Sequence, residues 1–300
     1  MPNFFFQKCL FRIYFLITQI KLNNANINRS PSSYEKNLEE RLNYYQNESN
    51  TDKNFTQILI TEHDKDNRSN LIGLFNWFAV HPTAMNRTNT LINGDVKGWA
   101  SDLTEKTMAH LNKNFVAGFG STNLGDVSPN LDGAKCRYDG SPPVGVQEGI
   151  ECDYEHSTCP DRLHNPSPLF CIAHGNGTGP EFINEEKVYQ HMFDMTDSTD
   201  IIAGRQTSKA FELMFSPNST QLDSVVSYRH KYLHMPSWVS EDGVSHTCKP
   251  AMGVSFAAGT TDGPGASMFQ QGMNWDYVND NLGGDSWVWF QIRDRLSIWF

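Results

Sequence analysis

The chain has 300 residues, 38% of them hydrophobic and 19% charged, enough to bury a sizeable core as one large domain or two small ones. Lys and Arg number 24 against 34 Asp and Glu, a formal net charge of -10. That balance argues against a nucleic-acid binder and removes any general attraction to anionic membranes.

Residues 1–20 are aromatic-rich, with Phe4-Phe5-Phe6 followed by Leu10 to Ile20, but Lys8 and Arg12 interrupt the run. It falls short of the roughly 20 apolar residues a bilayer span needs, so no transmembrane span is expected. An unbroken apolar core and a small-x-small cleavage site are also missing, so a buried strand, a poor signal and a false start are all open readings. Residues 23–70 are polar, with a helical pattern from Tyr34 to Tyr45 and a strand at Gln57-Ile58-Leu59-Ile60. An acidic turn, His63 to Asn70, follows. Leu71 to Val80 reads as a near-continuous buried strand, stopped at His81-Pro82 because proline cannot donate to a ladder.

Trp99, Leu103, Met108 and Leu111 fall on one face of a helix. Phe115-Val116-Ala117-Gly118-Phe119-Gly120 is a short apolar run with glycines, which predicts a strand. Strand, helix, strand in that order suggests a parallel unit. In such a unit His81 and the loop after Gly120 emerge on the same rim of one sheet. Farther on, Ile201 to Phe215 is a helix with Asp197 or Ser198 available as cap. Val225 to Leu233 alternates like a strand, and Gly253 to Ala258 reads as a buried strand entering the glycine-rich loop Gly259 to Gly265. The expected fold is α/β: a mixed, largely parallel sheet flanked by helices, with a long loop stapled by disulfides.

That loop runs to about Pro180 and holds Cys136, Cys152, Cys159 and Cys171; Cys9 and Cys248 stand apart. A Gly-, Pro-, Asp- and Ser-rich segment has little core of its own and suits two disulfides. Four cysteines allow three pairings and the sequence does not choose. The competing reading is zinc, but the Cys-x2-Cys spacing of common zinc sites is missing. Asn28, Asn47, Asn54, Asn67, Asn86, Asn176 and Asn218 each begin an Asn-x-Ser/Thr triplet. With the cysteines, they favour the secretory route and a secreted or cell-surface glycoprotein.

Chemistry concentrates in Asn123-Leu124-Gly125-Asp126-Val127-Ser128-Pro129-Asn130. Ser128 follows a strand, where open α/β sheets collect ligands. Pro129 pushes Ser128 toward an extended backbone, Gly125 allows a tight turn, and Asp126 and Asn130 offer groups to brace the loop or a ligand. The plain alternative is a surface turn, since all these residue types favour turns. Gly-x-Ser-x-Gly, Walker, dinucleotide and His-Glu-x-x-His patterns are absent. The nearest approach to a serine elbow, Gly253-Val254-Ser255-Phe256-Ala257, looks like a serine buried in a strand. A serine hydroxyl needs a base or a metal to become a nucleophile. His81 is a candidate for either role, or a structural histidine.

Asn76-Trp77-Phe78-Ala79-Val80-His81-Pro82-Thr83-Ala84-Met85-Asn86 and the Asn123–Asn130 stretch together resemble neutral ceramidase. So do Asn24-Ala25-Asn26-Ile27-Asn28-Arg29-Ser30-Pro31, Cys248-Lys249-Pro250-Ala251-Met252-Gly253 and Ser255-Phe256-Ala257-Ala258-Gly259-Thr260. The resemblance runs from about Asn24 to about Asp294. It implies a zinc amidohydrolase that cleaves the N-acyl bond of ceramide, a membrane lipid, to sphingosine and a fatty acid. Within it, Ser128 matches the nucleophile, His81 a Zn2+ ligand, Arg29 an active-site arginine and Asp126 an acidic position beside the nucleophile. The cysteine pairing it implies is Cys136–Cys159 and Cys152–Cys171. The family's zinc set is two histidines, a glutamate and a tyrosine, and His81 alone of these falls in this chain. The immunoglobulin-like C-terminal domain and the partner of Cys248 also fall outside it. The expectation is therefore a partial, incomplete catalytic domain over residues 24–300, preceded by an unassigned segment, 1–23. Two other readings stand beside it: an inactive remnant that binds lipid or a partner, and a serine esterase using Ser255. No oligomeric state follows from the sequence.

Overall fold

The aromatic-rich N-terminal stretch carries a sheet strand. The computed structural model describes residues 12–43, 49–66, 68–85, 89–138, 150–154, 159, 169–175, 191–222, 227–247 and 254–265. In chain order it begins with β1 (Arg12–Lys21), β2 (Ile27–Asn28), α1 (Pro31–Glu35), α2 (Glu39–Leu42), β3 (Asn54–His63) and β4 (Ser69–Phe78). There follow α3 (Asp95–Met108), β5 (Val116–Gly120), β6 (Val127–Ser128), β7 (Gly133–Tyr138), β8 (Leu169–His174) and α4 (His191–Met214). The last elements are β9 (Thr220–Gln221), a 3-10 turn at Met235–Ser237, α5 (Val254–Ala258), β10 (Gly259–Thr260) and β11 (Gly263–Pro264).

Two compact units divide these residues: one drawn from 1–29, 43–133 and 173–225, the other from 30–42, 134–172 and 226–300. The first unit is built on a five-stranded sheet in the order β5-β4-β3-β1-β9. β1 pairs antiparallel with β3 along its whole length, Arg12 opposite His63 and Lys21 opposite Asn54. β3 and β4 form an antiparallel hairpin, whose turn is closed by the Asp64 N–H donating to Arg68 O (3.2 Å) and by the Arg68 guanidinium on the Asp64 carboxylate. The sheet is mixed, but largely antiparallel rather than largely parallel: the parallel pair is β4–β5. Alternating polarity reports burial on one face and not strand direction, which is why pattern alone misassigned it.

Alternation along β3 buries Phe55, Gln57, Leu59 and Thr61. β4 is less buried than its apolar run suggested, with Phe75 41% exposed. Gly118 in β5 leaves room for that ring, since a Cβ there would stand 2.7 Å from the Phe75 ring. α3 buries Val96, Ala100, Thr104 and Met108, a strict i, i+4 stripe. Leu111, expected on the buried face, lies past the helix end and is exposed. α3 packs on α4, whose Ile202, Ala203, Gln206, Thr207 and Ala210 are all buried. Thr207 Oγ1 donates to Ala100 O (3.3 Å) and Gln206 Nε2 to Val96 O (3.2 Å), so this contact is partly polar. α4 begins ten residues before Ile201, so Asp197 and Ser198 are interior residues and not caps.

The second unit holds α1 and α2, which replace the single helix expected over 34–45; residues 44–45 lie outside the described set. It also holds most of the two-stranded β7–β8 sheet and, at its far end, α5 with the β10–β11 hairpin. α5 overturns the strand expected over 253–258: a short apolar run does not by itself separate strand from helix. Of the strand expected over 225–233, residues 225–226 lie outside the described residues and 227–233 form neither strand nor helix. Among the described residues, no helix is long and apolar enough to cross a membrane.

Candidate active site

β4 and β5 run parallel, with Trp77 opposite Gly120, so both release the chain at the same edge of the sheet. From β4 the chain passes through fully buried Ala79 and Val80 to His81. From β5 it passes to Ser121, whose Oγ donates to Val80 O (3.2 Å), and on to the turn before Ser128. Gly125 has φ +46, a left-handed conformation that favours glycine, and the Val127 N–H donates to Leu124 O (3.0 Å) across it.

Ser128 then lies in the short ladder of β6 with β2, opposite Ile27, while Val127 lies opposite Asn28. The Arg29 N–H donates to Asp126 O (2.9 Å) and extends this ladder by one step. Ser128 is 2% exposed, and its Oγ accepts from the Asn130 N–H (3.2 Å). Asn130 Nδ2 donates to Thr83 O (3.2 Å), so the serine loop is fastened to the segment just after His81.

The His81 ring is fastened to the same loop from the other side. Its Nδ1 lies 2.6 Å from Val127 O, the carbonyl immediately before Ser128. A carbonyl only accepts, so Nδ1 carries a proton, and the neutral imidazole keeps its lone pair on Nε2. The structure thus gathers His81, Ser128, Arg29 and Asp126 at one sheet edge. Their side chains differ in setting: Asp126 is exposed and contributes its carbonyl, whereas Arg29 is half-buried, its Nε buried with no hydrogen-bond partner among the described residues.

Three residues at this edge escaped the sequence reading. Asn26, 1% exposed, bridges the β2 and β4 ends, and the Asn24–Pro31 block was its one signal in the sequence. Asp95, with φ +50, accepts from the Ala84 and Met85 N–H groups at 3.1 and 2.8 Å and holds the loop after His81 against the start of α3. Lys97 is buried, its Nζ donating to Phe78 O (3.0 Å) and Gln206 Oε1 (2.9 Å); burial pushes its ammonium down to about 7.

The cysteine segment forms Cys136–Cys159 and Cys152–Cys171, with Cα separations of 5.6 and 5.9 Å. These sulfurs, all buried, are the one group of three or more His, Cys, Asp or Glu ligand atoms placed to share an ion among the described residues. Disulfide bonding removes the thiolates that zinc would need. His81 fits one position of a metal site, its Nδ1–H fixed on a backbone carbonyl and its Nε2 available. A multi-ligand site around it is not assembled among the described residues.

Comparison with known proteins bears on this geometry. The family model described as neutral/alkaline non-lysosomal ceramidase, N-terminal, matches residues 8–286. Neutral ceramidase B of Dictyostelium discoideum is 42% identical over 274 residues, covering 86% of this chain and 33% of that protein. Neutral ceramidase of Drosophila melanogaster is 38% identical over 291 residues, covering 88% of this chain and 36% of that protein. A solved structure described as ceramidase complexed with C2 has a TM-score of 0.49 at 24% identity, covering 89% of this chain and 33% of that one. The chain spans about a third of the length of the curated relatives it matches. With a family model matching residues 8–286 of its 300, the chain belongs to the neutral/alkaline non-lysosomal ceramidase family.

Proposed function

We propose that this chain is the nucleophile-bearing segment of an amidohydrolase that cleaves the N-acyl bond of ceramide to sphingosine and a fatty acid. The observation that carries the proposal is the 2.6 Å contact of the His81 ring with the carbonyl directly preceding Ser128. It couples an imidazole to a serine loop at the edge where two parallel strands end.

In this reading Ser128 attacks the amide carbonyl and forms an acyl ester, its proton passing to the nitrogen so that sphingosine leaves as the amine. Water then cleaves the ester to release the fatty acid and restore Ser128. The Asn130 N–H on Ser128 Oγ favours the oxygen as charge builds on it. Arg29 keeps an uncommitted, buried donor, the kind of group that offsets a developing oxyanion. Asp126 places a carboxylate at the solvent side of the loop and ties Arg29 to it through its carbonyl. His81 would hold a Zn2+ ion as one of its ligands, and the ion would supply Lewis acidity there. The further ligands belong to polypeptide beyond these 300 residues in this reading, consistent with relatives about three times as long. Residues 24–300 are then a partial catalytic domain, extended by β1. The disulfides and exposed Asn-x-Ser/Thr sites support a secreted or cell-surface location.

Fluorescent short-chain ceramide provides the test. The isolated chain is expected to bind zinc weakly and turn over poorly, while the frame-extended protein hydrolyses ceramide and Ser128→Ala lowers its turnover by on the order of 10⁴-fold or more. Micromolar zinc binding with ready hydrolysis by the isolated chain contradicts the partial-site reading; full activity in Ser128→Ala contradicts the nucleophile. The incomplete ligand set also favours a second reading, a remnant that binds lipid or a partner. Extending the genomic reading frame separates the two: recovered histidine, glutamate and tyrosine ligands support the enzyme, and stop codons support the remnant.

A further inference from the structure

Buried side-chain amides in the first unit divide into two kinds. Gln57 and Asn76, cross-strand partners in β3 and β4, each leave a buried carbonyl oxygen without a hydrogen-bond partner. Asn26 uses everything it has. Its Nδ2 donates to Asp52 O (2.9 Å) and to Ala79 O (2.5 Å). Its Oδ1 accepts from Thr51 Oγ1 (3.0 Å) and from Lys53 Nζ (2.5 Å), and the same ammonium reaches Asn26 O (2.7 Å). Two donors and two lone pairs exhaust an asparagine side chain. A fully satisfied buried amide holds one geometry, because any displacement strands a polar group away from water.

The segments it joins matter more than the number of bonds. On one side Ala79 is fully buried and lies two residues before His81. On the other, the next residue, Ile27, pairs with Ser128. Asn26 therefore links the two strand ends that carry the imidazole and the hydroxyl, and the Thr51–Lys53 turn braces it from behind. The Asn26 amide and the His81 ring contact thus join the Asn130–Thr83 and Ser121–Val80 hydrogen bonds in holding His81 against the serine ladder.

We propose that Asn26 is a positioning residue: it holds the end of β4 against the β2–β6 ladder so that the His81 ring keeps its Nδ1–H on Val127 O and its Nε2 lone pair turned away from that contact. This rests on the reading that His81 and Ser128 carry the chemistry, but its test does not require hydrolysis. Asn26→Asp keeps the acceptor side, including the contact with Lys53, and replaces both donors with oxygen facing the Asp52 and Ala79 carbonyls. Gln57→Met, which removes a different buried amide bonded to Ala210 O, is the control for general loosening.

The full 300-residue chain is labelled with ¹⁵N-histidine, and the His81 ring is assigned from the signals lost in His81→Gln. Long-range ¹H–¹⁵N spectra of the metal-free wild type should show a single Nδ1–H tautomer for His81. Asn26→Asp should convert it to a mixture of both tautomers, and Gln57→Met should leave it single. A single tautomer retained in folded Asn26→Asp overturns the proposal. Should that variant not fold, Thr51→Val, which removes one bond to Oδ1, takes its place under the same criterion. The same mixture in Gln57→Met also overturns it, since the effect would then be non-specific. In the frame-extended enzyme, Asn26→Asp should lower kcat by about 10–100-fold with KM within about twofold. If wild type fails to hydrolyse ceramide while the tautomer responds as expected, the functional reading fails and the positioning role stands.

Discussion

Arg29 shows how one side chain can cost stability and serve function. A donor buried without a partner carries an uncompensated desolvation cost of about 1–3 kcal/mol in ordinary sites. The Arg29 Nε is such a donor, at the end of the ladder that holds Ser128. The backbone does not need the guanidinium there, because the contact with Asp126 is made by the Arg29 N–H. Arg29→Met should therefore leave the urea midpoint of the chain unchanged or raise its stability by about 1 kcal/mol. The same substitution should lower ceramide turnover in the frame-extended protein by about 10²–10³-fold, the usual effect of losing one oxyanion donor. Lost stability with retained turnover would place Arg29 among structural arginines. The extended backbone of Ser128 was readable from the sequence, because Gly125 and Pro129 leave few conformations for the residues between them. The Nδ1 contact of His81 was not, since nothing local in His81-Pro82 says which carbonyl lies opposite the ring.

Among the elements, α3 carries the clearest pH dependence. Lys97 lies between the β4 end, at Phe78 O, and α4, at Gln206 Oε1, and burial holds its pKa at about 7 against an ordinary value near 10.5. The unfolded chain keeps that proton up to about pH 10 and the folded chain releases it above about pH 7. Between those limits the unfolded state binds more protons, so this group adds stability as pH rises and withholds it fully below about pH 7. Its contribution cannot exceed about 1.4 kcal/mol per pH unit. Urea unfolding of the wild type from pH 7 to pH 9.5 should show that upward slope, and Lys97→Met should reduce it, leaving the smaller part from Lys53, whose pKa burial lowers to about 8. An unchanged slope in the variant would show that the ammonium is not desolvated in the native state. Element by element, the sequence was legible where periodicity and punctuation agree. Pro82 after β4 and the glycines of β5 made the parallel pair and its shared edge readable. The hairpin of β3 with β4 and the long pairing of β1 with β3 were not, because antiparallel and parallel partners share the same alternation and β1 resembles an interrupted signal. Nothing in the sequence around Lys97 marks its ammonium for burial, which comes from tertiary contacts with Phe78 O and Gln206.

For the molecule as a whole, the covalent features argue for an oxidising route. The two disulfides close loops with sequence separations of 23 and 19 residues around a small buried cluster of Ala134 and the four cysteines. That cluster is too small to hold the segment alone, and removing one bridge by Cys152→Ser should cost about 3 kcal/mol in denaturant unfolding. Non-reducing peptide mapping should recover the 136–159 and 152–171 pairs and no cross-pairs.

Glycosylation gives a second and independent reading of the same route, because the sequons do not sit in equivalent places. Asn54 at the start of β3 and Asn218 in the turn after α4 are exposed. Asn28 is half-buried in β2, its Nδ2 already donates to Asn50 O (3.2 Å), and its strand pairs with the one carrying Ser128. A glycan needs that amide nitrogen and the space beyond it. Chain expressed through a eukaryotic secretory pathway and deglycosylated in ¹⁸O water should carry label at Asn54 and Asn218 and none at Asn28. Label at Asn28 on folded, disulfide-paired protein would mean that β2 does not pack against the serine strand as described, and the coupling of His81 to Ser128 through that ladder would fail with it.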